Sequence, residues 1–109
     1  MTKITVRKTV GGDYTGFTCI GHSRFANAGS DIVCAAISVL VTNTINSMER
    51  LAGQEMKMVT NEEAGLIDVR FVSPVSERTV LFMDSLVLGL SEVQKQYGSK
   101  YLRLKFEEV

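Results

Sequence analysis

A long apolar segment with no polar side constrains the fold of this chain more than any other feature. The segment covers about three helical turns, and its apolar residues are Ile32, Val33, Ala35, Ala36, Ile37, Val39, Leu40 and Val41. A helix that is apolar on every side is normally buried on more than one side. We therefore expect a core helix that begins at an N-cap, Ser30 or Asp31, and ends near Gly53.

Shorter segments on both sides of this helix alternate apolar and polar residues or are rich in β-branched residues, which is typical of strands. Five strands are predicted, at residues 4–10, 14–21, 56–60, 66–72 and 101–107. A second helix is predicted from Ser76 or Glu77 to about Tyr97, because its apolar residues recur at intervals of three and four. The order β-β-α-β-β-α-β favours an α+β fold, a mainly antiparallel sheet with two helices, in a single domain of residues 1–109.

Composition narrows the partners and the compartment. Twelve basic and twelve acidic side chains give a net charge of zero, so the chain lacks the positive field of non-specific nucleic-acid or anionic-membrane binders. The N-terminus shows no secretory signal, and the apolar segment is shorter than the ~20 residues of a membrane span. Two cysteines without regular spacing argue against a disulfide framework. We expect a cytoplasmic protein with no direct nucleic-acid or membrane partner.

The chemically informative residues lie on the two sides of a short polar loop. His22, the single histidine, stands where the second strand ends, and Cys34 falls in the first turn of the expected helix. Backbone N–H groups at a helix start stabilise a thiolate, and a nearby imidazole is the base that forms it. Ser38 shares the helical face of Cys34, while Asp31 either orients the histidine or only caps the helix.

Inert roles are the more common ones for such residues. A cysteine among apolar residues is usually a small core side chain, and a lone histidine is more often a surface or capping group. Cys19, within an apolar strand, is most simply structural. One histidine and two cysteines do not match the usual zinc ligand sets, so the sequence predicts no metal site and no cofactor.

Two separated motifs carry a family resemblance. Gly21-His22, followed after a short loop by Ser-Asp-Ile-Val-Cys-Ala-Ala-Ile-Ser at residues 30–38, resembles the signature of the ribosomal-processing cysteine protease family. The positions that match the family's catalytic histidine and cysteine are His22 and Cys34. Ser23 stands where the family commonly has alanine, which leaves the catalytic pair intact and makes the first contact of the loop uncertain.

The resemblance implies a cytoplasmic endopeptidase and a homodimer. Its substrate would be the N-terminal segment of a large-subunit ribosomal protein, from which it removes a short extension by thiol acyl transfer. His22 and Cys34 would be catalytic. From the residues themselves we also expect Gly21, Asp31 and Ser38 to support the site or the substrate, and the loop at 23–30, which contains Gly29 and two alanines, to act as a lid over the peptide. Two alternatives remain open: a non-enzymatic ribosome-associated assembly module with a structural cysteine, and a redox-sensing thiol with Cys19 as its resolving partner.

Overall fold

The computed structural model describes residues 1–21 and 28–109, and the side chains of residues 1–21 and 32–109. Its elements are β1 (Thr2–Lys8), β2 (Tyr14–Ile20), α1 (Ala28–Arg50), β3 (Met56–Asn61), β4 (Leu66–Phe71), α2 (Glu77–Tyr97) and β5 (Leu102–Glu108). The predicted order and the α+β class are therefore confirmed.

The five strands form one sheet in the order β3-β4-β2-β1-β5. Strand β2 pairs antiparallel with β1 and β4, and β3 pairs antiparallel with β4. Only the β1–β5 pair is parallel among the described strands, which confirms the mainly antiparallel sheet. The turn from β1 to β2 uses Gly12 at a φ of 91°, a backbone conformation that glycine adopts without a steric penalty.

Both helices cover the same side of the sheet and bury it. Alternate residues of the strands point toward the helices, where Ile4, Val6, Phe17 and Val69 are fully buried. The helices contribute further core side chains, which are Val33, Ile37, Val41, Ile45 and Met48 from α1 and Met83, Leu86 and Leu90 from α2. The Tyr14 hydroxyl donates a hydrogen bond to Asp84 Oδ1 at 2.5 Å, which joins β2 to α2.

The long apolar helix is buried on two sides and exposed on a third. One side packs on the sheet, and Leu40 packs against Gly89 of α2, where a Cβ atom would lie only 3.2 Å from Leu40 Cδ2. Ile32 and Val39 point away from both and are 56% and 68% exposed. The expectation of burial on more than one side thus holds, but it does not extend to the whole circumference.

The helix begins earlier than the sequence pattern predicts. We expected Ser30 or Asp31 as the N-cap, whereas α1 starts at Ala28, so both residues belong to its first turn and that prediction is wrong. Serine and aspartate are favourable in a first turn as well as at an N-cap, because an acidic or hydrogen-bonding group there meets the positive end of the helix dipole. The residue types in this segment therefore do not distinguish a helix that begins at residue 28 from one that begins at residue 31.

The segment Ile32–Arg50 is also long and apolar enough, by length and composition, to cross a membrane. The core helix of a globular protein passes the same test, and this helix supplies buried side chains to the core beneath the sheet. The hydropathy of α1 is therefore accounted for by its packing.

An ion-pair network lies on the opposite side of the sheet, away from the helices. Arg7 donates from Nη2 to Asp68 Oδ1 at 3.0 Å and from Nη1 to Thr18 Oγ1 at 2.5 Å. Thr18 in turn donates to Asp68 Oδ1, and Arg70 donates from Nε to Asp68 Oδ2 at 3.2 Å. The network bridges β1, β2 and β4, and the sequence pattern alone does not specify the pairing of β2 with β4.

Asp68 is expected to make stability depend on pH in the acid range. Burial raises the pKa of Asp68, but the hydrogen bonds from Thr18 and Arg7 and the Arg7 charge outweigh it, so the net pKa is lowered. The resulting stabilisation is present above the unfolded-state pKa of about 4 and is lost as pH falls through the lower folded-state value. We predict that Asp68→Asn lowers the unfolding free energy by about 1–2 kcal/mol at pH 7.

Urea unfolding from pH 7 to pH 3 measures this effect. The wild-type and Asp68→Asn curves should converge as the pH falls, while the exposed-site control Glu92→Gln should follow the wild type throughout. A constant difference between wild type and Asp68→Asn at all pH values would contradict the assignment.

Candidate active site

A cavity opens at the end of the sheet where α1, the end of β2 and the β3–β4 turn meet. Its volume is about 300 Å³, and most of its surface is apolar. It is lined by Thr2, Cys19, Gly21, Cys34, Ile37, Ser38, Val41, Asn61, Glu62, Gly65, Leu66 and Ile67. The cavity therefore contains three of the residues singled out from the sequence, Gly21, Cys34 and Ser38.

Cys34 is half-buried and its side chain borders the cavity. Because α1 begins at Ala28, Cys34 lies in the second turn of the helix and not in the first turn as expected. The influence of the helix dipole falls off within the first turn, so the helix start contributes less to a thiolate here than the sequence suggested. Ser38, one turn further on, is exposed and lines the same cavity.

Gly21 forms part of the cavity wall through its backbone. Its φ of 102° lies in the region that favours glycine, and a Cβ atom would stand 2.5 Å from the carbonyl oxygen of Met1. Its N–H donates to the carbonyl of Ala64 at 3.3 Å, and the Thr2 hydroxyl donates to its carbonyl at 3.2 Å. The chain is thus fixed between the start of β1 and the β3–β4 turn just before it reaches His22.

The structure does not describe the side chains of two predicted site residues, His22 and Asp31. His22 lies outside the described residues, and so does the part of the predicted loop that precedes Ala28. Asp31 belongs to the backbone of α1, but its side chain is outside the described set. The roles of His22 and Asp31 accordingly stay predictions.

Cys19 was expected to be structural, or in the redox alternative a resolving thiol, and the structure places it at the cavity. It is buried in β2, with 7% of its surface exposed, yet it lines the cavity together with Cys34. Burial, and to a lesser degree the neighbouring Cys34, raises the pKa of the Cys19 thiol to about 11, so the thiol stays protonated at neutral pH. Alternation within β2 already pointed Cys19 toward the core side with Phe17, but only the packing of α1 on that side brings the two thiols to one cavity.

The β3–β4 turn is the part of the site that sequence reasoning missed. Asn61, Gly65 and Leu66 line the cavity because β4 pairs with β2, a contact between segments almost fifty residues apart. The Asn61 side chain accepts a hydrogen bond from the Ala64 N–H at 3.1 Å and so shapes the turn. The sequence identified this segment as a turn and gave no signal that it borders Cys34.

Among the described residues, no group of three or more histidine, cysteine or acidic side chains is placed to hold a metal ion. The described part of the cavity places the Cys34 thiol beside an apolar recess. Such an arrangement suits nucleophilic attack on a bound acyl group when a base is within reach.

Comparison with known proteins identifies the family. The family model described as cysteine protease Prp matches residues 1–102 of this chain. The chain belongs to the cysteine protease Prp family. Members are hydrolases that use a cysteine, and this agrees with a half-buried thiol at the edge of a cavity.

Similar Prp proteins come from two bacteria. The ribosomal processing cysteine protease Prp of Bacillus subtilis is 25% identical over 101 residues, which is 89% of this chain and 90% of that protein. The protein of the same name from a Staphylococcus aureus strain is 24% identical over 106 residues, 95% of this chain and 99% of its own. The similarity therefore extends over nearly the full length of both relatives.

The fold also matches a solved Prp structure. The crystal structure of the ribosomal processing protease Prp from S. aureus in complex with a substrate peptide superposes with a TM-score of 0.89. It is 20% identical, and the match covers 98% of this chain and 100% of that one. At this identity the likeness establishes the shared Prp fold.

Thiol labelling distinguishes the two cysteines of the cavity. Cys34 is half-buried at an open surface, whereas Cys19 is buried and its pKa is raised to about 11. We predict that iodoacetamide at pH 7 modifies Cys34 at least about tenfold faster than Cys19, since the thiolate is the reactive form. Mass spectrometry of tryptic peptides measures both rates, and equal rates would contradict the difference in environment.

Proposed function

We propose that this chain is an endopeptidase that removes a short N-terminal extension from a large-subunit ribosomal protein. The observation that carries the proposal is the half-buried Cys34 thiol at the rim of an apolar cavity, in a member of a cysteine protease family. The names of the relatives, ribosomal processing cysteine proteases, support the choice of substrate. A ribosomal substrate also favours a cytoplasmic location for this protein.

The proposed reaction is thiol acyl transfer between Cys34 and the scissile peptide bond. His22 removes the thiol proton, the Cys34 sulfur attacks the carbonyl carbon, and a tetrahedral intermediate forms. His22 then gives the proton to the leaving amine, which departs and leaves a thioester on Cys34. Water, deprotonated by His22, hydrolyses the thioester and restores the thiol. In support, Gly21 lines the same cavity as Cys34, and His22 follows it directly in the chain.

The helix start is the proposed source of oxyanion donors. The first four N–H groups of an α-helix have no partner within the helix, and in α1 these begin at Ala28. Side chains of a helix lean toward its N-terminus, which directs the Cys34 sulfur toward that end. Donors aimed at a developing negative charge usually lower the barrier more than any other single factor. Asp31 and Ser38 are proposed to support this arrangement from within the same helix.

The cavity itself suggests what the peptide presents. Ile37 and Val41 of α1 and Leu66 and Ile67 of β4 supply apolar side chains to the lining of the recess. An apolar side chain of the substrate, next to the bond that is cut, would be removed from water there at about 25 cal/mol per Å² of buried surface. We therefore propose that the peptide is anchored by an apolar side chain adjacent to the scissile bond.

A redox role for the thiol is the second candidate, and one observation favours it. Cys19 and Cys34 line the same cavity, so a resolving thiol is available near the proposed nucleophile. The burial of Cys19 and its raised pKa argue against rapid exchange at neutral pH. Peptide hydrolysis therefore remains the better supported function.

Cleavage of ribosomal-protein peptides tests the proposed function. We predict that Cys34→Ala lowers the cleavage rate of the susceptible N-terminal peptide by at least about 10³-fold, because the nucleophile is lost. His22→Ala should lower it about 10²–10⁴-fold through loss of the base. Chromatography of a panel of large-subunit N-terminal peptides measures the rates.

The matched control is Cys19→Ala, which removes the other thiol of the cavity and should leave most of the activity. Cleavage by Cys34→Ala at the wild-type rate would refute the proposed mechanism. Binding to ribosomal particles without cleavage, unchanged by loss of both His22 and Cys34, would instead support the non-enzymatic assembly module.

A homodimer is the proposed assembly, and the outer surface of the helices supports it. Val39 of α1 and Leu81 and Leu88 of α2 point away from the sheet and are 64–68% exposed. Exposed apolar side chains that cluster on one surface commonly mark a protein interface. Because Leu40 packs on Gly89, Val39 and Leu88 lie at the same level of the two helices.

Sedimentation equilibrium tests the dimer. The wild type should have about twice the 12.0 kDa mass of one chain, and Leu88→Glu should raise the dissociation constant about tenfold or more by placing a charge in the interface. Val10→Glu, at an apolar residue exposed in the β1–β2 turn, is the matched control and should leave the dimer intact. A monomeric wild type at micromolar concentration would overturn this proposal.

A further inference from the structure

The side of the sheet that faces away from the helices carries a concentration of basic residues. Strand pairing aligns three rows of outward side chains across the sheet. We call this side the outer face, and its charged residues are Lys3, Arg7, Lys57, Asp68, Arg70, Arg103, Lys105 and Glu107. In the strand register, Lys3 of β1 lies beside Arg103 of β5, and Arg70 of β4 lies beside Lys57 of β3.

The outer face is positive although the whole chain is neutral. It holds six of the twelve basic residues and only two of the twelve acidic ones. The rest of the chain is correspondingly acidic. This separation is a consequence of strand alternation, because on β5 and β1 every second residue is directed outward and several of these are lysine or arginine.

Some cations of the outer face form ion pairs with a carboxylate of the sheet and others do not. Arg7 and Arg70 both pair with Asp68, so this carboxylate is shared and one positive charge remains in the group. Lys3, Lys57, Arg103 and Lys105 are exposed, and within the part of the chain that the structure describes no carboxylate lies within ion-pair distance of them. Four cations are therefore available to a partner.

The spacing of these cations fits an extended polyanion. Adjacent strands lie about 4.8 Å apart and successive outward residues on one strand about 6.7 Å apart. Lys3, Arg103 and Lys105 lie on the adjacent strands β1 and β5 at these intervals, whereas Lys57 lies on β3 at the other edge of the sheet, about 19 Å from β5. Thr5 and Thr18, half-buried between the cations, are the hydroxyl-bearing residues of the central row.

We propose that the outer face binds RNA through its phosphate backbone. The outward rows of the sheet contain no aromatic residue on which a base could stack, so binding is independent of base sequence. The choice of RNA over another polyanion rests on the proposed function, because a protease for a ribosomal protein meets RNA at the surface of ribosomal particles. This inference runs against the expectation from net charge that no nucleic acid is bound directly, and the experiment below decides between the two.

Fluorescence anisotropy with a labelled 20-nucleotide oligouridylate tests the proposal. Binding should weaken as NaCl is raised from 50 to 200 mM, with a slope of log K against log salt near −3 for about four phosphate contacts on a single strand. Lys57→Gln combined with Lys105→Gln should lower affinity about tenfold at 100 mM NaCl and reduce the slope by about 1.4. The matched control is Arg50→Gln with Lys95→Gln, two exposed cations of the helices, which should bind like the wild type.

Three outcomes would overturn the proposal. They are absence of salt-dependent RNA binding by the wild type, an equal loss in the helix-side control, and competition by poly-glutamate or by phosphatidylglycerol vesicles that exceeds competition by RNA. The same preparations are assayed for cleavage of the short peptide, which Lys57→Gln with Lys105→Gln should retain. If the wild type binds RNA but shows no cleavage that depends on Cys34, the result would contradict the proposed function and would still support RNA binding by the outer face.

Discussion

Burial of one side of α1 against the sheet is the interaction on which the rest of the structure depends. Val33, Ile37 and Val41 lie along this side and are almost fully buried. Their burial fixes the rotation of the helix about its axis, because turning it by one residue would expose them and bury others. Cys34 follows Val33 by a single residue, so the same rotation holds its thiol at the boundary between the core and the cavity. A thiol at such a boundary is shielded on one side and accessible on the other.

The fold was predictable from local patterns and the cavity was not. Alternation and helical spacing specify the seven elements and the boundaries of most of them, because each reflects a face that must be buried. The contact of the β3–β4 turn with α1 depends on the β2–β4 pairing, which is encoded in the shape complementarity of distant segments. The start of α1 was misplaced by three residues, since small polar residues suit both a cap and a first turn.

In the candidate site, too, some features were predictable from local sequence and others depend on tertiary packing. Cys34 and Gly21 could be singled out because a unique motif surrounds them, and the structure gives each a place in one cavity. The glycine has a physical reason of its own, a positive φ and a close approach of Met1, which no local pattern announces. Cys19 was assigned a structural role from its strand, and its presence beside Cys34 follows only from helix packing. Local reasoning therefore left the thiol open between an inert and a reactive role, the family resemblance favoured the reactive one, and both missed part of the surroundings of the thiol.

The two-layer arrangement places the cavity and the basic outer face on opposite sides of the sheet, a separation that the net charge of the chain does not reveal. The cavity lies between the sheet and α1, whereas the basic side chains of β1, β3 and β5 project from the opposite side. Asp68 partly neutralises the centre of that side because it pairs with Arg7 and Arg70, and the cations without an ion-pair partner among the described residues lie toward the edges. A polyanion could thus lie across the sheet without covering the thiol, because the sheet itself stands between them. The proposed RNA surface and the cavity therefore lie on opposite sides of one sheet, so the two proposed activities would not compete for the same surface.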